Sequence, residues 1–166
     1  MSYSRILLLL LFILPNTINA QHMMDSDIWL SDIRIKENNI YFGAAKNATN
    51  AVGYDSQPFF LNDSTLLYTH IGEDLQADIH QYHLRKKTNL KFTNTKESEY
   101  SAKILPNKNG ISVVEVEQDS SQRIWHFDLN GKNGKVYVAN IDSVGYYAWL
   151  SDTSFAAFIL TATPSL

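Results

Sequence analysis

Three stretches of this chain repeat at a fixed interval: YDSQPFFLNDSTLLYTH from Tyr54, YSAKILPNKNGISVVEV from Tyr100 and YYAWLSDTSFAAFIL from Tyr146. Each opens with tyrosine, reaches an apolar pair ending in Leu61, Leu105 or Leu150, crosses a short polar turn and becomes apolar again. The tyrosines are 46 residues apart in both intervals. A second element keeps step with them. DIHQYHL from Asp78 matches RIWHFDL from Arg123, with Ile79 and Ile124, and Leu84 and Leu129, both 45 apart. DIWLSDI from Asp27 reads as an earlier copy. Concordant spacing in two elements requires one supersecondary unit used repeatedly, each copy stacking on the next.

Each unit holds four strand-sized runs. In the first full unit the pattern predicts strands near Pro58–Leu61, Thr65–His70, Ala77–Leu84 and Asn89–Thr93. In the second it predicts Ala102–Leu105, Gly110–Glu117, Gln122–Leu129 and Lys135–Ala139. The separators are rich in Asn and Gly, which accept the positive φ of tight hairpin turns. The second strands, Leu66-Leu67-Tyr68 and Ile111-Ser112-Val113-Val114, are almost continuously apolar. Such runs suit a strand covered on both faces. Four short antiparallel strands per unit of about 40–50 residues is the signature of a β-propeller blade. A β-sandwich also has regular short strands, but gives no reason for a fixed period. With 45% hydrophobic residues the chain can fill such a core.

The pattern Tyr54-x-x-x-Pro58-Phe-Phe-Leu-Asn-Asp-Ser64, then Asp78-Ile79 with Tyr82 and Leu84, then Leu90-Lys-Phe-Thr-Asn-Thr95 resembles the TolB-like propeller repeat. That repeat typically reads Pro-x-Trp-Ser-Pro-Asp-Gly, then Asp-Ile-Tyr, then Leu-Thr-Asn. Asn62-Asp63-Ser64 and Pro106-Asn107-Lys108 stand where Pro-Asp-Gly is usual. The resemblance runs from about Asp25 to Leu160 and implies the fold. It leaves function open, because such repeats form periplasmic scaffolds and also cap serine peptidases. The expected architecture is all-β: the last half of one blade (Asp27 to about Asn47), two full blades and the first half of another. Closed propellers have about 4–8 blades, so a partial propeller from a truncated product or gene fragment is expected.

The N-terminus is of another kind. Arg5 precedes nine apolar residues, Ile6 to Leu14, then Pro15 and small or polar residues up to Ala20. That is the order of a secretory signal peptide, and the run is short of the about 20 residues needed to cross a bilayer. The expected division is a signal-peptide helix over 1–20 and an incomplete propeller domain over 21–166, the mature chain beginning at Gln21. A periplasmic or secreted location in a Gram-negative envelope follows from the leader and the resemblance together. No cysteine is present, which excludes disulfides, thiolate metal sites, a cysteine nucleophile and a bacterial lipid anchor. A net charge of −3 with no basic stripe argues against nucleic acid as partner.

Few residues invite chemistry. His80 and His83 lie in a strand, where odd spacing puts them on opposite faces, unfit for a shared metal; His126 aligns near them in the next repeat. Glu115 and Glu117 point to one side of a strand, about 7 Å apart, a spacing open to an inverting glycosidase pair. A solvated acidic rim explains them equally and without a substrate. None of the seven glycines frames a Gly-x-Ser-x-Gly elbow. Asn47-Ala-Thr49 and Asn62-Asp-Ser64 match a glycosylation pattern that means nothing in a bacterium. Tyr54, Tyr100, Tyr146, Trp29, Trp125 and Trp149 fit inter-blade packing or a ligand cage. The expectation is therefore no catalytic, cofactor or metal residue, and an exported scaffold binding an envelope protein, peptide or glycan. A peptidase-capping propeller without its catalytic domain and a non-functional remnant are the alternatives. Open blade edges predict aggregation or a head-to-tail dimer.

Overall fold

The computed structural model describes residues 25–161, which leaves the expected signal peptide and Gln21 outside the described residues. Every described element is a β-strand. Two antiparallel four-stranded sheets form the middle of the stack. The first full blade is β5 (Tyr54–Asn62), β6 (Thr65–Ile71), β7 (Ala77–His83) and β8 (Thr88–Lys91). The second is β9 (Ser98–Ile104), β10 (Ile111–Val116), β11 (Gln122–Phe127) and β12 (Lys135–Val138). After it comes a single hairpin, β13 (Val144–Ser151) with β14 (Ser154–Ile159). Before them lies a broken hairpin, in which β1 (Trp29–Leu30) pairs β4 (Lys46–Asn47) and β2 (Ile33–Lys36) pairs β3 (Asn39–Phe42). These are the two half blades that the repeat predicts, flanking two full ones.

Turn chemistry closes the hairpins. Glu37 and Asn38, at φ 50° and 62°, form the two-residue turn between β2 and β3, a geometry whose twist matches the strands it joins. Asn62 and Asn107 each accept the backbone N–H two residues on, from Ser64 at 2.9 Å and Asn109 at 3.2 Å. Asp128 accepts from the N–H groups of Asn130 and Lys132 in the β11–β12 loop. In that loop Gly131 has φ 70°, and a Cβ on it would lie 2.0 Å from the Phe92 carbonyl oxygen. The second blade thus leans on the first through a position only glycine can fill.

The continuous apolar runs are covered on both sides. In β6, Leu66 and Tyr68 face Ile28 and Ala48 of the N-terminal half blade. Leu67, on the opposite face, packs with Ile79 and Phe92 against Ala102, Ile111, Val113 and Phe127 of the second blade. The far face of that blade presents Val114 and Ile124 to Val144 and Tyr147 of β13. Leu67, Val113, Ile79 and Ile124 are all 0% exposed. Three apolar seams therefore hold four sheets in series, the arrangement that a blade-length period encodes.

The first strands depart from the expected bounds. β5 and β9 begin at Tyr54 and Ser98 rather than at Pro58 and Ala102. Register shifts opposite β6 and β10 let the strands run on through Gln57 and Ser101, at φ 54° and 56°. A bulge inserts a residue without ending the ladder, so a pattern that breaks period two hides the strand's true start. Ile28, in the half blade expected to leave an open edge, is itself buried against β6.

Candidate functional site

β5, β9 and β13 occupy the same edge of their sheets, the edge that lines the central channel of a propeller. Along it runs a cleft of about 450 Å³ that contains Tyr54, Tyr100 and Tyr146, the three tyrosines spaced 46 residues apart. Of the six aromatics read as packing or cage residues, Trp125, Trp149 and Tyr100 pack against the inter-blade seams. Tyr54 and Tyr146 are 37% and 58% exposed and present their rings to the cleft, and Trp29 is 60% exposed. Gln57 also lines this cleft. Its positive φ is strained for a residue with a Cβ, and its side chain is held in place. Gln57 Oε1 accepts from the Ser101 N–H at 2.8 Å and from Thr69 Oγ1 at 3.0 Å. The bulge thus welds neighbouring blades together where the tyrosines meet.

Behind β13 the aromatic seam is anchored by a buried hydroxyl. Trp149 Nε1 donates to Ser112 Oγ at 2.8 Å, and the Tyr147 hydroxyl donates to the same oxygen at 2.8 Å. Burial and the lost hydration of a phenolate raise the Tyr147 pKa far above the ordinary range.

The histidines do not meet as a group of ligands. His80 stacks on His70 at 4.6 Å between ring centroids and on Tyr68 at 5.7 Å. His70 Nδ1 lies 2.6 Å from the buried Asp55 carboxylate. Burial, then the nearby His70, lower the His80 pKa to about 4. His83 ends β7, and its Nδ1 accepts the Lys86 N–H of the following turn at 3.4 Å. His126 lies 6.1 Å from the Tyr137 ring. Among the described residues no group of three or more His, Asp or Glu is placed to hold a metal ion.

Glu115 of β10 and Glu117, just past its end, are not the rim that their sequence spacing allows. Glu117 accepts two bonds from Arg123, at 2.6 and 2.5 Å, and one from Trp125 Nε1 at 3.0 Å. Those bonds, Arg123 foremost, lower its pKa. Glu115 is only 2% exposed and lies directly opposite Glu99 of β9, itself 0% exposed. Glu99 is held by the hydroxyls of Thr93 and Thr95. Burial raises Glu99 to about 7; burial, then the Glu99 charge, raises Glu115 to about 8. The two acids carrying the strongest shifts include one, Glu99, that the sequence pattern did not single out. The sequence carried no signal for it: Glu99 precedes the expected strand start at Ala102, and the β9 bulge is what sets it across from Glu115.

Sheets of four antiparallel strands, stacked face to face with their first strands toward one axis, define a partial β-propeller. The comparison with solved structures bears on which kind. The chain is similar to a protein of Agrobacterium tumefaciens assigned as a TolB, at 14% identity and a TM-score of 0.50. The match covers 65% of this chain and 44% of the neighbour, so the chain spans less than half of that protein's length. The likeness is one of fold: a TolB-like propeller architecture. No family model matches the sequence, and no curated protein matches it. No described helix is long and apolar enough to cross a membrane.

Proposed function

We propose that this chain is an exported, non-catalytic propeller module that binds an envelope protein or peptide along its tyrosine cleft. The observation that carries the proposal is the convergence of Tyr54, Tyr100 and Tyr146 on one cleft beside the axial edge. Exposed tyrosines supply large, rigid contact area at low entropic cost, and a bulge-fixed wall keeps them in place. The TolB-like fold and the signal-like leader support the envelope as the site of action, and the acidic net charge argues against a nucleic-acid partner.

Assembly belongs to the same proposal. The β2–β3 hairpin exposes Ile33, Ile35 and Phe42 at one end, and the β13–β14 hairpin exposes Leu150 and Phe158 at the other. Apolar sheet surface of this kind drives association, and a second copy placed head to tail covers both faces at once.

A photo-crosslinking amino acid placed at Tyr146 in the exporting bacterium tests the binding reading, with the exposed turn residue Lys86 as the comparison site. Tyr146 is expected to capture a discrete envelope partner and Lys86 is not. Equal capture from both sites, or none from Tyr146, overturns it. Intact mass of the periplasmic fraction tests export separately: a chain beginning at Gln21 is expected, and a full-length cytoplasmic chain contradicts it.

A further inference from the structure

A second cleft, of about 770 Å³, is lined by the β8–β9 connection and the second blade, and shares no residue with the tyrosine cleft. Its lining carries four carboxylates, Glu97, Glu115, Glu117 and Asp119, against one cation, Lys132. Trp125 and Phe127 supply an aromatic wall. At its base Glu115 is 98% removed from solvent by its 2% exposure, and its Oε2 has no hydrogen-bond partner among the described residues. A buried carboxylate oxygen left without a donor is costly, and native structures satisfy nearly all such groups. Glu115 lines the cleft, so a donor arriving there meets this carboxyl group.

We infer that the inter-blade cleft is a binding site for the cationic side chain of an arginine or lysine on a basic peptide, with Glu115 as its anion. The blade already contains an internal precedent. Glu117, two residues on and just past the end of β10, holds the Arg123 guanidinium through two bonds, with the Trp125 indole donating to the same carboxylate. An incoming guanidinium or ammonium meets the same pairing of carboxylate and aromatic ring, which satisfies both its charge and its flat or methylene surface. A divalent metal fits poorly, since hard cations take six or more oxygen ligands and the wall here is aromatic. An anion is repelled by the carboxylate excess.

The groups around Glu115 set how binding responds to pH. Glu99 faces it from β9, Glu97 from the β8–β9 connection and Glu117 from the β10–β11 turn; Asp78 of β7 and Lys91 of β8 act on Glu99 behind it, and Arg123 of β11 is already paired with Glu117. Burial and these acids hold a proton on the Glu99–Glu115 pair near neutrality, so a cation must displace that proton to bind. Affinity therefore rises as pH rises through 7 and 8.

The inference takes the binding-module reading as its frame but fails separately from it: an exported chain that captures a partner at Tyr146 yet ignores these cations loses only this site. The probes are N-acetyl-arginine methylamide and N-acetyl-lysine methylamide, titrated into the mature chain while the Trp125 indole N–H resonance is followed by NMR. At least one probe should shift that resonance, with affinity about tenfold higher at pH 9 than at pH 6. Glu115→Gln, which keeps the shape and removes the charge, should weaken binding at pH 9 by about tenfold and abolish the pH dependence. No shift with either probe at pH 9, a flat wild-type pH profile, or unchanged binding in Glu115→Gln overturns the inference. The wild-type pH profile decides the matter even if the variant fails to fold.

Discussion

Glu99 and Glu115 face each other across β9 and β10 with almost no exposure, and burial makes the protonated form the stable one. A carboxyl group whose folded pKa is raised binds more protons folded than unfolded, so it lowers stability as pH climbs from its unfolded value to its folded one. With folded values of about 7 and about 8, that loss extends to about pH 8. His80, with its pKa lowered to about 4 by burial and by His70, has the opposite sign: stability falls as pH drops below its ordinary value. Above about pH 6.5 the unfolded His80 loses its remaining charge, and the larger glutamate effect dominates. The melting temperature should therefore fall by about 5 °C or more between pH 6.5 and 8.5, and Glu99→Gln or Glu115→Gln should flatten that slope. Thermal unfolding followed by circular dichroism checks this; an unchanged slope in both variants contradicts it. Sequence alone placed Glu115 and Glu117 on one side of their strand but left open whether water reached them. That depends on the β8–β9 connection and the blade behind it, which no local pattern reports.

At the scale of single elements the repeat was highly legible. β6, β7, β10 and β11 lie within a residue or two of their expected bounds, because each combines an apolar run with Asn- or Gly-rich ends. The doubly covered strands predict a large response to truncation. Leu67→Ala and Val113→Ala should each destabilise by about 2–3 kcal/mol, within the range of core aliphatic truncations. Urea unfolding measures this, and a loss below about 0.5 kcal/mol would place those side chains outside the seams. Gly131→Ala should be destabilising by about 1 kcal/mol or more, since φ there is 70° and the new methyl meets the Phe92 carbonyl; a neutral effect would mean that the β11–β12 loop does not rest on the first blade. The first strands were less legible. Gln57 and Ser101 adopt positive φ within bulges, and bulges break the alternation from which a strand is read. The exposure of Tyr54 and Tyr146 was hidden for a related reason: a repeat fixes which positions are equivalent, not which of them meet solvent at the axial edge.

As a whole the molecule is a short series of sheets in which each inner sheet is stabilised by a neighbour on either side. Among the described residues the terminal half blades have such a neighbour on one side only; the β2–β3 hairpin, which joins no seam, exposes Ile35 at 74%, and the outer face of β13 exposes Leu150 at 86%. The number and order of blades could be read from two repeat intervals, whereas the burial of Ile28 needed the fold, since it follows from how the N-terminal half blade docks on β6. A stack with apolar faces at both ends gains stability by covering them, and the head-to-tail pairing proposed above does so with identical copies. Size-exclusion chromatography coupled to light scattering, on the chain from Gln21 onward, tests this directly. A species of twice the chain mass, or larger assemblies, is the expected result; a stable monomer that unfolds in one cooperative transition would contradict an open stack and require the two terminal hairpins to be covered within one chain.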